Sequence, residues 1–301
     1  MARRIRWRTH LTGYLFISPW LVGLLFFSLG PIIASFALAF ARWDLFNPPN
    51  FVGMGNYVKL SHDPLFYKAI SVTVYYTAFQ VPLGIALALG LALLVNHKLK
   101  GITIYRTIFF LPNIAAGVAM MLVWKWLFNP DFGLINQILD VLHITDLLDL
   151  AGLGRPQWLA SRSGAIPALV IMSLWGIGGS MMIFLAGLQN VPDSFLEAAE
   201  IDGANAWQRF RHVTLPLLTP TIFFLLVIGT IASLQVFTQA FIMTQGGPAN
   251  ATLFYSLYLF NNAFGMFRMG YACALALFLF LAILLLTLVQ LYLSKRWVHY
   301  Q

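Results

Sequence analysis

Six long apolar stretches leave this chain few ways to fold. They run near 12–40, 70–95, 104–127, 165–189, 217–243 and 269–293. A bilayer core of about 30 Å takes roughly 20 apolar residues per helix, and each stretch is long enough. With 60% hydrophobic and 9% charged residues, a soluble domain lacks the polar surface to cover them. The expectation is an all-α integral membrane protein with six transmembrane helices. No internal repeat or soluble domain is visible, so residues 1–301 read as a single transmembrane domain. The first stretch follows Arg3, Arg4, Arg6 and Arg8, as a signal peptide would. Its apolar run from Leu11 to about Ala41 exceeds the usual 7–15 residues of such a segment. Ala37-Leu38-Ala39 is a weak cleavage match, so a retained helix is expected, kinked at Pro19 and Pro31.

Basic residues set the orientation. With the N-terminus inside, Arg3, Arg4, Arg6, Arg8, Lys98, Lys100, Arg106, Arg209, Arg211, Lys295 and Arg296 fall on the inner side. The outer side carries fewer cations and most of the aspartates. Six spans then put both termini and the loop 191–216 in the cytoplasm. The net charge of +8 is thus a topology signal, and no nucleic-acid partner is expected. Cys273 is the one cysteine and lies in the last stretch, which leaves no disulfide within the chain.

Absences narrow the energy source. Every Asp and Glu lies outside the six stretches. An ion-coupled carrier usually keeps an ionisable group near the midplane. No G-x-x-x-x-G-K-[ST] phosphate loop is present, and no catalytic or metal-binding constellation is found. A membrane protein without its own motor either conducts passively or borrows one.

The polar loop before the fifth stretch reads EAAEIDGANAWQRFRHVTLP over residues 197–216. Ser194 and Glu197 have capping-box spacing. Ala198, Ala199, Glu200 and Ile201 continue a helix, and Gly203 is its natural stop. Asn205 and Gln208 repeat the capping pattern. Trp207 and Phe210 share a face, and Pro216 suits the first turn of the fifth span. A two-turn helix is marginal in water unless docked. The alternative is a capped linker with no partner.

These residues resemble the EAA motif of binding-protein-dependent ABC importer permeases, E-A-A-x-x-x-G-x(9)-I-x-L-P. Glu197, Ala198, Ala199, Gly203, Leu215 and Pro216 match it, and Val213 replaces the isoleucine. Phe51–Tyr57, Arg106–Pro112 and Thr244–Pro248 look like segments of the carbohydrate-uptake permeases, so the likeness covers essentially the whole chain. It implies a type I importer permease in a bacterial or archaeal inner membrane, paired with a second, unlike permease. Its other implied partners are a cytoplasmic ATPase dimer and an extracytoplasmic solute-binding protein. The loop would be a coupling helix seated on the ATPase, with Glu197 and Asp202 facing it and Gly203 permitting the turn. ATP and magnesium would stay on the ATPase, leaving this chain with no cofactor. Glu197 could instead cap its own helix.

Polar groups within the stretches suggest a solute path. Met172, Trp175, Gly176 and Gly179 share a face on a continuous helix. Trp175 could stack on a sugar ring, or the set could pack helices. Ser233, Gln235, Thr238 and Gln239 mark the fifth span and are costly in lipid without partners. Gln80 is a further candidate, and Lys125 between Trp124 and Trp126 reads as an interface anchor. Leu134, Ile135, Ile138, Leu139 and Leu142 suggest an amphipathic helix in the outer connection 128–164. An uncharged path suits a sugar or oligosaccharide. Alternatives are glycerol phosphate, a polyol, or a stand-alone secondary carrier.

Overall fold

The computed structural model describes residues 7–97, 101–115, 117–152 and 154–299. Arg3, Arg4, Arg6, Lys98 and Lys100, used above for orientation, lie outside the described residues. Helices α1 (Trp7–Gly23) and α2 (Gly30–Leu38) are joined through π-helical turns at Leu24–Leu29. Strands β1 (Ala41–Arg42) and β2 (Asn50–Phe51) pair antiparallel. Then come α3 (Gly55–Ser61), α4 (Pro64–Val95), α5 (Ile102–Ile114) and α6 (Gly117–Leu127). The helices α7 (Leu134–Val141) and α8 (Ile144–Leu150) are short. They precede α9 (Ala165–Trp175) and α10 (Gly178–Gln189). Next are α11 (Asp193–Ile201), α12 (Ala206–Arg209), α13 (Leu215–Leu217) and α14 (Thr219–Leu234). The last are α15 (Thr238–Met243), α16 (Tyr255–Phe260) and α17 (Met269–Ser294).

Among the described residues, three helices are each long and apolar enough to cross a membrane: Thr12–Leu38, Pro64–Val95 and Met269–Ser294. Three bent helix pairs, within 102–127, 165–189 and 206–234, raise the number to as many as six by length and composition, although 206–216 of the last pair precedes the apolar stretch. The expected kink at Pro31 is taken up by the π-helical turns just ahead of it. Proline has no N–H and crowds the carbonyl one turn back, and a wider turn relieves both. The second span starts at Pro64 rather than 70 and rises about 48 Å at 1.5 Å per residue.

Contacts divide the chain into two compact units where the sequence suggests one domain. One runs to Asp63 and takes in Leu259–Leu281; the other covers Pro64–Tyr258 and the chain from Ala282 on. In the first, Ala39, Cys273 and Ala274 form a small buried cluster with Tyr57 and Leu277 around it. In the second, α4 carries Gly84, Ala88 and Ala92 on one buried face. Small residues four apart let helices approach closely where no hydrophobic effect drives association. Met181, Phe184, Leu185 and Leu188 of α10, and Leu225 of α14, pack with Ala88 and Ala92. At the end of α4, the Arg106 guanidinium donates to Val95 O at 2.9 and 3.3 Å. It satisfies a terminal carbonyl and complements the negative end of the helix.

The connection 128–164 is organised by a buried polar residue. Asn136 Nδ2 donates to Pro130 O and Pro156 O, both at 3.0 Å. Its Oδ1 accepts from Trp158 Nε1 at 2.6 Å. The expected amphipathic helix is therefore the two-turn α7, with Ile135 and Leu139 half-buried and Leu134, Ile138 and Leu142 exposed. Trp124 is buried, so only Trp126 and Lys125 have the exposure expected of an interface anchor.

Glycine is required where α10 meets α5, because a Cβ on Gly178 would lie 2.2 Å from Phe109 O. Gly90 of α4 has nothing within 4 Å of that position. Gly178→Ala is expected to cost about 1–3 kcal/mol by overpacking, and Gly90→Ala to gain a few tenths. Thermal unfolding in detergent checks the pair.

Candidate functional site

Two spans break at the residues the sequence marks as polar or small. The fourth ends α9 at Trp175 and resumes as α10 at Gly178, with a 50° bend between them. Gly176 N–H donates to Ser173 O at 3.2 Å, a tightened last turn. The fifth runs from Thr219 to Leu234, stops over Gln235-Val236-Phe237 and resumes at Thr238. Sixteen residues rise about 24 Å, less than the hydrocarbon core, so this span needs residues beyond its break. Leu174, Val236 and Phe237 pack against one cluster that includes Tyr76, Trp124 and Met172, so both breaks border the same core.

These breaks correct the expected continuous helical face. Met172, Trp175, Gly176 and Gly179 do not lie on one continuous helical face, because the helix ends between them. Met172 is buried in the cluster. The space beside Gly179 holds Asn113, whose Nδ2 would lie 2.7 Å from an added Cβ. That glycine leaves room for Asn113 of α5. Ser233 is buried, and its hydroxyl donates to Thr230 O at 3.0 Å, so its own helix satisfies it.

Trp175, Gly176, Gln235 and Thr238 remain exposed in the single chain, and Gln239 is half-buried. Trp175 is 43% exposed and stands edge-on to Trp124, ring centres 5.2 Å apart. Gln239 Oε1 accepts from the Tyr76 hydroxyl at 3.3 Å. Gln80 is half-buried one turn along α4 from Tyr76. The sequence reading missed Tyr76 and Asn113. Their only signal was a polar group within an apolar stretch, and neither has a motif. The exposed set offers an aromatic face, amides and a hydroxyl, with no charged side chain among them.

The loop between α10 and α14 is a helical hairpin. Its first helix starts at Asp193, and Pro192 in extended geometry (ψ 131°) occupies the cap position. Ser194 therefore sits inside the helix, and the expected Ser194–Glu197 capping box does not form. At the other end Gly203 adopts φ +81°. Its N–H donates to Glu200 O at 3.0 Å, and Ala204 N–H donates to Ala199 O at 2.9 Å. This is the paired Schellman ending of a helix. The second capping box does form. Gln208 N–H donates to Asn205 Oδ1 at 2.9 Å, and Gln208 Oε1 accepts from Asn205 N–H at 2.8 Å. Arg209 Nη1 closes on Glu200 Oε2 at 2.6 Å, tying α12 to α11.

Glu197, Ala198 and Asp202 point outward on this hairpin, and Ala199 is half-buried. Ile201 is 87% exposed, with Phe195 and Trp207 also exposed. Residues 210–214 widen into π turns ahead of α13, where Leu215 and Pro216 are half-buried. Pro220, not Pro216, takes the first turn of α14. The run 206–217 meets α14 at a 62° bend. At that bend Thr219 Oγ1 donates to Pro216 O at 2.6 Å and accepts from His299 N–H at 3.0 Å.

A multi-span helical protein with broken spans and a structured polar hairpin has the architecture of a transport permease. The chain belongs to the family described as binding-protein-dependent transport system inner membrane component, whose model matches residues 80–299. It is 42% identical to the probable ABC transporter permease protein YesP of Bacillus subtilis (strain 168), over 100% of this chain and 95% of that one. It is 36% identical to the lactose transport system permease protein LacF of Rhizobium radiobacter, over 95% of each. Its fold matches a bacterial ABC transporter involved in the import of the acidic polysaccharide alginate. That match has a TM-score of 0.78 at 23% identity and covers 96% of both chains. The chain is thus a permease of the ABC-transporter class, an inner-membrane component.

Asn205→Ala is expected to weaken the hairpin by about 1 kcal/mol, whereas Ser194→Ala leaves it unchanged. Amide hydrogen exchange over residues 199–210 distinguishes them, and equal protection in both variants contradicts this cap assignment.

Proposed function

We propose that this chain is the membrane-spanning permease of an ATP-driven importer that carries a sugar or oligosaccharide. The single observation that carries the coupling is the hairpin at residues 193–217. It has a Schellman ending, a capping box and an ion pair, yet it leaves Phe195, Ile201 and Trp207 exposed. Three local constraints make it stiff, and an exposed apolar face suits docking. A stiff element on the bend at Leu218 can carry motion from an ATPase into α14. In this reading Glu197, Ala198, Asp202 and Gly203 face the ATPase, while Leu215 and Pro216 transmit at the base. Glu197 is free for that role because it does not cap its own helix.

The solute path in this reading runs by Trp175, Gly176, Gln235, Thr238 and Gln239. Discontinuous helices place otherwise unpaired backbone groups beside a solute. The Trp175 ring can stack on a sugar face, and the amides and hydroxyl can meet sugar hydroxyls. The lactose permease relative supports the carbohydrate class. The family description supports a solute-binding protein as partner. The broken, partly exposed spans fit an unlike second permease closing the path. Both termini and the hairpin lie in the cytoplasm. ATP and magnesium are bound by the ATPase subunits, and this chain holds no cofactor.

Gly203→Pro removes the N–H that meets Glu200 O and forbids φ +81°. The assembled transporter is expected to retain ATP hydrolysis while solute uptake in proteoliposomes falls at least tenfold. Normal uptake would sink the coupling role. Trp175→Ala is expected to lower uptake severalfold with assembly and thermal stability little changed. Parallel loss of stability and uptake would make Trp175 a packing residue only.

A further inference from the structure

Three cations with no part in the proposed transport path converge on one cavity. Arg42, Lys59 and Arg268 line a cavity of about 980 Å³ together with Trp43, Asn47 and Tyr271. They come from β1, from α3 and from the residue directly ahead of α17. Specific contacts hold each segment to residues 39–43. Arg42 is on β1, opposite Asn50 of β2. The buried Asn56 of α3 donates through Nδ2 to Ala39 O and Ala41 O, both at 2.9 Å, which fixes the helix bearing Lys59. Gly270 N–H donates to Trp43 O at 3.2 Å, and a Cβ there would lie 2.0 Å from Ala41 O. Only glycine allows α17 to begin so close to β1, and that approach places Arg268.

Two carboxylates nearby, Asp44 and Asp63, offset the three cations only in part. None of the three cations joins an ion pair within 4.0 Å among the described residues. Asp44 lines the cavity, but its carboxylate accepts from Phe46 N–H, Asn47 N–H and Asn47 Nδ2. Asp63 accepts from the Tyr271 hydroxyl at 2.8 Å. Lys59 Nζ lies 4.8 Å from the centre of the Tyr271 ring. Partial desolvation and the Arg268 charge lower the Lys59 ammonium from its ordinary value; Arg42 adds to this, and Asp63 opposes it. Like charges held together by a rigid scaffold raise its energy, and an anion among them removes that repulsion.

Position selects the anion. Arg42 lies four residues past the end of α2, and Arg268 immediately precedes α17, so the cavity stands where two membrane-crossing helices meet the headgroup layer. Phe46 and Phe267 are exposed beside it with ring centres 5.3 Å apart, and Phe51 is exposed as well. Exposed phenylalanines can bury in the acyl boundary of a bilayer surface. We infer that the Arg42–Lys59–Arg268 cavity binds the phosphate of an anionic phospholipid. The guanidinium N–H groups suit phosphate oxygens, and the aromatic rim meets the acyl region. The leaflet follows from the topology proposed above; the binding does not depend on it.

The test uses the full chain, purified with the subunits it assembles with, and equal amounts of phosphatidylglycerol and phosphatidylcholine. Native mass spectrometry counts the retained lipid. Phosphatidylglycerol is expected to be retained preferentially, with a loss of about fivefold for each of Arg42→Gln and Arg268→Gln, while Arg268→Lys keeps most of it. Equal retention of the two lipids by the wild-type chain overturns the inference, and that comparison decides alone if a variant unfolds. Unchanged retention in the folded double Gln variant also overturns it. Displacement of the lipid by an equal concentration of glycerol phosphate would replace the lipid with a soluble phosphate. Weaker association of the solute-binding protein, with lipid retention unchanged, would make the cluster a protein contact.

Discussion

A backbone amide or carbonyl in hydrocarbon has no water to turn to, and leaving one unpaired costs several kcal/mol. Unbroken helices meet that demand through their own ladders, as α4 and α17 do. The fourth and fifth spans do not, since each interrupts its ladder inside the apolar region. Such breaks survive only where protein or a water-filled path stands beside them. Here both border the cluster of Tyr76, Trp124 and Met172. The close approach of α10 to Phe109 at Gly178 stabilises one of them. A helix start pressed against a neighbouring backbone has little freedom to straighten.

The hairpin solves a different problem, that of stiffness in water. Helices of nine and four residues would fray alone. Its Schellman ending uses up orphan carbonyls, the Asn205–Gln208 box uses up orphan amides, and Glu200–Arg209 joins the two pieces. The ion pair is partly exposed, so its worth is modest. Most of the rigidity rests with the backbone bonds. The hairpin meets α14 at a 62° bend, where Leu218 is buried and its N–H bonds back to Thr214 O and Leu215 O.

The apolar stretches behind up to six candidate spans were legible because lipid solubility is a bulk property of about 20 residues. The hairpin was legible too, since Gly203 and Asn205 carry their conformational preference locally. Capping geometry was legible only in part. Ser194–Glu197 and Asn205–Gln208 have the same spacing, and only the second forms. Pro192 holds the cap position in extended geometry, so Ser194 falls inside the first turn, where a side-chain cap is no longer available. The single helical face through Met172 and Gly179 failed for a related reason. Average hydropathy runs unbroken through Gly176 and Gln235, and the small and polar residues there do not by themselves separate a bend from close packing.

From residue chemistry alone come the membrane setting, the number of candidate spans, the polar hairpin and the acid-free character of those spans. Each depends on composition or on neighbours a few residues away. Which polar groups stay exposed, which glycines sit against a neighbouring helix, and which cations share a cavity were decided by the fold. Gly179 and Gly176 are chemically identical, yet a Cβ on Gly179 would lie 2.7 Å from Asn113 Nδ2, whereas one on Gly176 would only reach van der Waals contact with Asn113 and Ser173. Arg42 and Arg268 are far apart in the chain and meet because Gly270 lets α17 begin against β1. Such meetings depend on long-range packing, which the local pattern of residues does not encode.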